Sequence, residues 1–393
     1  MRLRMINYLK SHATLLRFGF RILRCILLIT YLFPIRKKQI IFASFGGRKF
    51  DDSPRAIYDE ICRRREFEGW RLIWAFVDPE QVSIPRGEKV KIDTVRFFLT
   101  LFTSRVWVSN SGMDRGLQLR NPRIIRIETW HGTPLKKICG EENSKEARWG
   151  IRLSRPDRLA IRCAQSEYDL EILSRVLQAD KNAFLMADLP RNDELKHFSA
   201  ADCAGIRNKL SIPPEKKVIL YMPTYREYLI NENRENYIAP PISMEKWEKL
   251  LGDEYVLLIR AHYAVSAALE LHDSDFLRDV SAYEKLNELY EIADLLISDY
   301  SSAFVDYSIL GRPMLCFAYD LAEYEEKRGL YLDLSETLPC EICRDEDTLL
   351  QQIQELDTAA ASDRTAAFCR RFAPYAGNAA KAVADELQRR LYQ

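Results

Sequence analysis

Glycine-rich nucleotide loops are missing from this sequence of 393 residues, which has neither G-x-x-x-x-G-K-[ST] nor G-x-G-x-x-G. P-loop, kinase and dinucleotide-binding readings therefore lack the backbone cradle their phosphates need. Histidine is scarce, at five residues, and the nine cysteines are odd in number and scattered. Cys340 and Cys343 form one C-x-x-C with no second pair at zinc-ribbon spacing. The thiols thus read as reduced and the body as cytosolic. Internal repeats and low-complexity segments are absent too. With 47% hydrophobic and 29% charged residues, disorder and fibrous architecture are excluded as the main theme.

Acidic residues are absent from the first 38 positions, which hold nine Lys/Arg. The chain has 58 basic and 57 acidic residues, a net charge of +1, so the remainder carries 49 minus 57, or −8. A basic arm precedes a mildly acidic body, and nucleic acid is not an expected partner. Lys10, Arg17, Arg21 and Arg24 fall on one helical stripe, with Leu15, Phe18, Ile22, Ile26 and Ile29 opposite. The apolar run from Cys25 to Phe33 is about half of the roughly 20 residues a span needs. Phe-Pro-Ile-Arg after it is a poor cleavage site for a signal peptide. Residues 1–38 are expected to form an amphipathic helix lying on an anionic membrane surface, peripherally and on the cytoplasmic face. A spanning or re-entrant segment, and a helix packed on the body or a partner, are the alternatives.

From Gln39 onward, short apolar runs alternate with helical stretches. The runs begin at Ile40, Leu72, Val106, Ile124, Leu159, Val218, Tyr255, Leu295 and Met314. Continuous apolar runs between helices indicate parallel strands covered on both faces. A break is expected between Leu189 and Pro214, where Pro190 and Pro213-Pro214 flank a helix-like stretch. Cores usually stop growing at about 250–300 residues, so two domains suit the length. The expected architecture is α/β, with Rossmann-like lobes over residues 39–200 and 201–393 facing a cleft. The last helix is free to pack back on the first lobe.

Polar clusters follow these strands directly, where open α/β sheets bind ligands. His131 lies in Trp-His-Gly-Thr-Pro, after Ile124-Ile-Arg-Ile. With a pKa near 6.5 it suits a general base; a turn histidine bonded to backbone is the plain alternative. Arg260 and His262 follow Tyr255 to Ile259 and form either a phosphate clamp or a solvated strand end. Ser298-Asp-Tyr-Ser-Ser precedes a helical pattern. Its hydroxyls and free N–H groups form an anion site, or Asp299 or Ser301 simply caps the helix. Thr224 and Arg226, after Pro223, follow the same logic. His12, His197 and His272 are assigned nothing, and no metal or other cofactor is expected.

Taken together, the motifs resemble the CDP-glycerol glycerophosphotransferase family of teichoic-acid and related polymer synthesis, from about Ile40 to about Asp333. The residues that carry the resemblance are Phe50-Asp-Asp-Ser-Pro-Arg-Ala-Ile-Tyr, Val108-Ser-Asn-Ser, Thr129-Trp-His-Gly-Thr-Pro-Leu-Lys-Lys and Pro190-Arg-Asn-Asp. Met222-Pro-Thr-Tyr-Arg, Arg260-Ala-His, Ser298-Asp-Tyr-Ser-Ser-Ala-Phe-Val-Asp-Tyr, Arg312-Pro, Tyr319-Asp and Arg328-Gly-Leu-Tyr complete it. Two departures are Ala187-Asp-Leu, where a glycine is usual, and Tyr225, where a Trp is frequent. The resemblance implies a GT-B-like fold, with CDP-glycerol in the C-terminal lobe and a lipid-linked acceptor in the N-terminal lobe. It implies catalytic roles for His131 and His262. Donor binding would fall to Thr224, Arg226, Arg260, Ser298, Asp299, Ser301 and Ser302, and acceptor binding to Asp52 and Asn110. The short chain is more like a primase than a polymerase. CDP-ribitol remains an alternative donor, and a glycosyltransferase or a non-catalytic nucleotide-binding module an alternative role. A homo-oligomer is compatible with all of these.

Overall fold

The computed structural model describes residues 28–115, 121–143, 160–226, 239–261, 269 and 272–392. The arm up to residue 27, with its expected amphipathic helix, and His262 lie outside the described residues.

The first sheet holds β1 (Arg36–Ala43), β2 (Arg71–Phe76), β3 (Glu88–Lys91), β4 (Ser104–Ser109), β5 (Ile125–Glu128), β6 (Ala160–Ala164) and β7 (Phe184–Met186). Its strands run in the order β3-β2-β1-β4-β5-β6-β7, all parallel. The second holds β8 (Lys217–Tyr221), β9 (Tyr255–Ile259), β10 (Leu277–Asp279), β11 (Leu295–Ser298), β12 (Met314–Phe317) and β13 (Ile342–Cys343). Its order is β10-β9-β8-β11-β12-β13, again all parallel.

Alternating side chains of one strand feed two cores, which is why these strands read as unbroken apolar runs. Ile40 and Phe42 join Tyr58 and Trp74 on one face, while Ile41 and Ala43 join Phe97 and Trp107 on the other. In the second sheet Val218 and Leu220 face one core, Ile219 and Tyr221 the other. Each sheet winds outward in both directions from its first strand. This leaves a switch-point crevice between β1 and β4, and another between β8 and β11.

Three helices bear on these crevices: α1 (Asp52–Arg63), α2 (Ala303–Ser308) and α3 (Ala379–Leu391). The last of these returns to the first sheet, where Val383 and Leu387 pack with Ile57 and Ile61 of α1. Asp193 accepts the Ala379 and Ala380 N–H groups at 2.8 and 2.7 Å, capping that helix. The two halves also meet where Lys137 N–H donates to the Gly329 carbonyl at 2.9 Å and Tyr331 N–H to the Leu135 carbonyl at 2.9 Å. Gly329 is required there: its φ is +82°, and a Cβ would press on Lys137 and Asn143 at 2.7–2.8 Å.

Candidate active site between the two sheets

On the first lobe, the turn after β5 carries the base candidate. Trp130 is left-handed, at φ +64°, and Gly132 sits at φ +145°. That backbone turns His131 back over β4, stacked on the Trp130 ring with centroids 4.4 Å apart and edge-to-face with Phe45 at a centroid distance of 6.2 Å. Its Nδ1 lies 2.9 Å from the Asn110 carbonyl. Only a protonated Nδ1 makes that bond, so the neutral ring keeps its lone pair on Nε2. Burial pushes the His131 pKa below its ordinary 6.5, against the Asn110 carbonyl and Asp52, which pull it up. The imidazole is therefore neutral at pH 7, as a general base must be. The Asn110 Oδ1 also accepts the Phe45 N–H at 2.8 Å, so one residue ties the loops after β1, β4 and β5 together.

Asp52 begins α1 at φ +63° and is buried. It accepts from the Ser53 N–H and from Arg191 Nη1, both at 2.7 Å. Burial opposes its ionisation, but the Arg191 guanidinium and the Ser53 N–H outweigh it and hold the carboxyl below its usual range.

On the second lobe, Asp299 plays the part that Asn110 plays on the first. It accepts the Thr224 N–H at 3.0 Å, the Tyr300 N–H at 2.6 Å and Arg226 Nη1 at 2.7 Å, bridging the loops after β8 and β11. Arg226 is 6% exposed. It also pairs with Asp320 at 2.8 Å and stands 4.9–5.4 Å from the rings of Tyr300, Tyr319 and Tyr324. Its guanidinium is engaged by two carboxylates, so Arg226 and Asp299 shape the loop that presents Thr224. Ser298 points inward, donating to the Met222 carbonyl at 2.7 Å. The first amides of α2 itself, expected to be free, are engaged within the turn. Ala303 N–H reaches Ser301 Oγ at 3.1 Å and Val305 N–H the Ser302 carbonyl at 2.9 Å, because the turn is tight. Half-buried hydroxyls remain at Thr224, Ser301 and Ser302. Arg260, also half-buried, donates to the Val280 and Tyr283 carbonyls and pairs with no carboxylate among the described residues.

The two sides meet at Gly132: a Cβ there would overlap the Ser302 Oγ and lie 3.6 Å from Arg191 Nη2. The base candidate is thus one residue from a contact with the hydroxyl turn of the opposite lobe. Beside this junction lies a cavity of 660 Å³, whose walls include Phe45, Asp52, Arg55, Arg191, Arg260 and Lys285. His131, Ser301 and Ser302 do not line it. No group of His, Cys, Asp and Glu that could hold a metal occurs among the described residues. Two Asp-x-Asp pairs exist in the sequence. Asp345 caps a helix through Thr348 N–H at 2.8 Å, and Asp273 accepts the Asp279 N–H at 2.9 Å.

A family model described as CDP-glycerol:poly(glycerophosphate) glycerophosphotransferase matches residues 26–388. The chain belongs to this family. Over 345 residues it is 33% identical to the teichoic acid poly(glycerol phosphate) polymerase of Staphylococcus epidermidis, covering 82% of this chain and 46% of that protein. It thus spans about half the length of that relative. It is 31% identical over 340 residues to the teichoic acid glycerol-phosphate transferase of Staphylococcus aureus, covering 82% of this chain and 85% of that protein. The structure of the wall teichoic acid polymerase TagF superposes with a TM-score of 0.81 at 28% identity, covering 96% of this chain and 98% of that one. A histidine variant of TagF soaked with CDPG superposes at 0.79 with 30% identity, covering 91% and 90%.

Within this glycerophosphotransferase-family cleft, Arg191 and Asp306 belong to sequence motifs that carry the resemblance, yet nothing in the sequence assigns them a role. Arg191 Nη1 donates to Asp52 and, at 3.0 Å, to the His131 carbonyl; Nη2 donates to Asp306 of α2 at 2.6 Å. A buried polar chain runs on from Asp306. Asn192 Nδ2 reaches Asp306 at 2.9 Å and Asp188 at 3.2 Å. Gln165 Nε2 donates to Asp188 at 2.6 Å, and Thr133 Oγ1 stands 3.0 Å from Gln165 and 3.2 Å from Asp169. Burial pushes the Asp169 and Asp188 carboxyls up to about 7, with the Asp306 charge adding to both shifts.

Proposed function

We propose that the cleft transfers glycerol phosphate from CDP-glycerol to a hydroxyl of a lipid-linked acceptor, releasing CMP, in the synthesis of a teichoic-acid-like polymer. The observation that carries this reading is a neutral histidine with a directed Nε2 lone pair, one residue from the Gly132–Ser302 contact between lobes. Family membership supports the donor. The lobes are read as GT-B-like, with the acceptor on residues 39–200 and the donor on residues 201–393, apart from the returning helix α3. The acceptor oxygen bonds to the β-phosphorus as the bond from that phosphorus to the oxygen bridging the α-phosphorus breaks. His131 Nε2 takes the hydroxyl proton, and the electron pair leaves with CMP. Arg260, Thr224, Ser301 and Ser302 offset charge on the diphosphate, joined by His262 on the strength of its motif. Asp52 and Asn110 act on the acceptor side by holding the base-bearing turn.

Peripheral attachment at the cytoplasmic face of the membrane fits the entry to β1. Leu28 and Leu32 are 56% and 81% exposed, and Arg36, Lys37 and Lys38 are exposed just beyond them. Among the described residues no helix is long and apolar enough to cross a membrane. The test supplies the protein with CDP-glycerol or CDP-ribitol and vesicles bearing lipid-linked acceptor. Release of CMP and mass spectrometry of the lipid are then followed. The reading requires glycerol phosphate on the lipid and a clear preference for the glycerol donor. Equal use of CDP-ribitol, or CMP release without lipid product, overturns it.

A further inference from the structure

We propose that Arg191 is a positioning residue whose forked guanidinium locks the His131 turn of one lobe to helix α2 of the other. The inference rests on the reaction proposed above for what the lock accomplishes, but its geometry stands apart from any substrate. Nη1 serves the first lobe, donating to the Asp52 carboxylate and the His131 carbonyl. Nη2 serves the second, donating to Asp306. Asp306 lies on the helix that begins immediately after Ser301 and Ser302. One planar group therefore sets the distance between the proposed base and the proposed phosphate turn. The backbone of Arg191 is held as well: its carbonyl accepts from Asn287 Nδ2 at 2.6 Å, and its neighbour Asn192 shares Asp306.

Stability alone is a poor reason for this arrangement. A buried ion triad costs desolvation that an apolar cluster of the same shape avoids. What the triad supplies is direction. A guanidinium offers two parallel donors in a fixed plane, whereas an ammonium is a point charge. Arg191→Lys is thus the informative variant, since it keeps the charge between Asp52 and Asp306 and loses the fork. The charged groups bearing on His131 are Asp52, Arg191 and Lys136. With the charge kept, the acid limb of the kcat/KM profile stays in place, and Arg191→Gln moves it to higher pH.

Two readouts decide the matter. Hydrogen exchange in Arg191→Lys should accelerate about tenfold in both 129–134 and 299–306, with β8 and β9 unchanged. Turnover with CDP-glycerol should fall roughly 10–100-fold, the scale of a misplacement near 1 Å, with CDP affinity held within about threefold. Asp306→Asn should lower kcat similarly, and the double variant should be no slower than the worse single one. Loosening confined to Arg191's own lobe, unchanged kcat in folded Arg191→Lys, additive effects, or a matching loss of CDP affinity would each overturn the proposal. Should the native protein fail to use CDP-glycerol, the reaction reading falls, and the exchange data still decide the lock.

Discussion

The two switch points of this protein are bridged by one residue each, and those residues differ by a charge. On the first lobe the neutral Asn110 gathers the loops after β1, β4 and β5. On the second the carboxylate Asp299 gathers the loops after β8 and β11, and its charge is met by Arg226. Backbone differs in the same sense. Phe45, Asp52 and Trp130 have positive φ around the first crevice, while residues 222–226 and 299–302 of the second have none. A base must be neutral and aimed, and the loop of the proposed base has a neutral amide at its Nδ1 side, a twisted main chain, and the Asp52–Arg191 pair at its carbonyl. The loop proposed to face phosphate has charge beneath it and is held by the buried Arg226–Asp299 ion pair. In the crevice proposed for proton chemistry the residue that touches the imidazole Nδ1 is neutral, and the Asp52–Arg191 ion pair reaches the turn only through the His131 carbonyl. In the crevice proposed to hold a diphosphate the bridging residue is itself charged.

The most severe test of this contrast is His131→Ala. Turnover measured by CMP release should fall about 10²–10⁴-fold with CDP affinity retained, because the proposed base and the proposed donor site are on opposite lobes. Near-native turnover would remove the first crevice from the chemistry. Arg226→Met should instead act on folding. It strands Asp299 and Asp320 in a buried site and should cost about 3–5 kcal/mol in urea unfolding. If the variant were as stable as the parent, the ion pair would not be the second crevice's support.

Stability should also depend on pH through the buried chain beneath the cleft. Asp169 and Asp188 are raised from 3.8 to about 7 by burial. Between those values the native state holds protons that the unfolded chain has released. Stability therefore falls as pH rises from about 4 to about 7 and levels off above, by at most about 1.4 kcal/mol per pH unit for each group. Asp188→Asn mimics the protonated form and should remove part of that slope in urea titrations at pH 4.5–8. An unchanged slope would mean that Asp188 is ionised throughout.

Smaller effects separate the crevices further. Ser301→Ala and Ser302→Ala should each weaken CDP binding by about 1–2 kcal/mol in calorimetry and leave cytidine binding alone. Equal losses for both ligands would take the turn away from the phosphates. Asn110→Asp places a carboxylate where the neutral clamp stands. A nearby negative charge favours imidazolium, so the acid limb of kcat/KM should move to higher pH by about one unit. A fixed limb would show that the neutrality of Asn110 is incidental.

Nine strands were legible as apolar runs, and all nine are interior to their sheets. The four that were not, β3, β7, β10 and β13, are the four edges. The reason is burial: an interior strand of a parallel sheet is covered on both faces, whereas Glu88–Lys91 and Leu277–Asp279 are largely half-exposed or exposed. At the site, Trp130-His131-Gly132 was legible because glycine and the strand before it define a turn locally. Arg226 carried the same local signature as Thr224, yet one is buried among aromatic rings and the other is only half-buried.

Local order is what the chain encodes by itself: apolar runs long enough for covered strands, turns at their carboxyl ends, and a histidine in one of them. Only the tertiary structure decided which charges meet. Arg191 finds Asp52 across 139 positions and Asp306 across 115. The physical reason is range. An apolar run needs only burial, and any core supplies it. An ion pair or a shared proton needs one partner at one distance, and that partner is brought in by the packing of two sheets against each other.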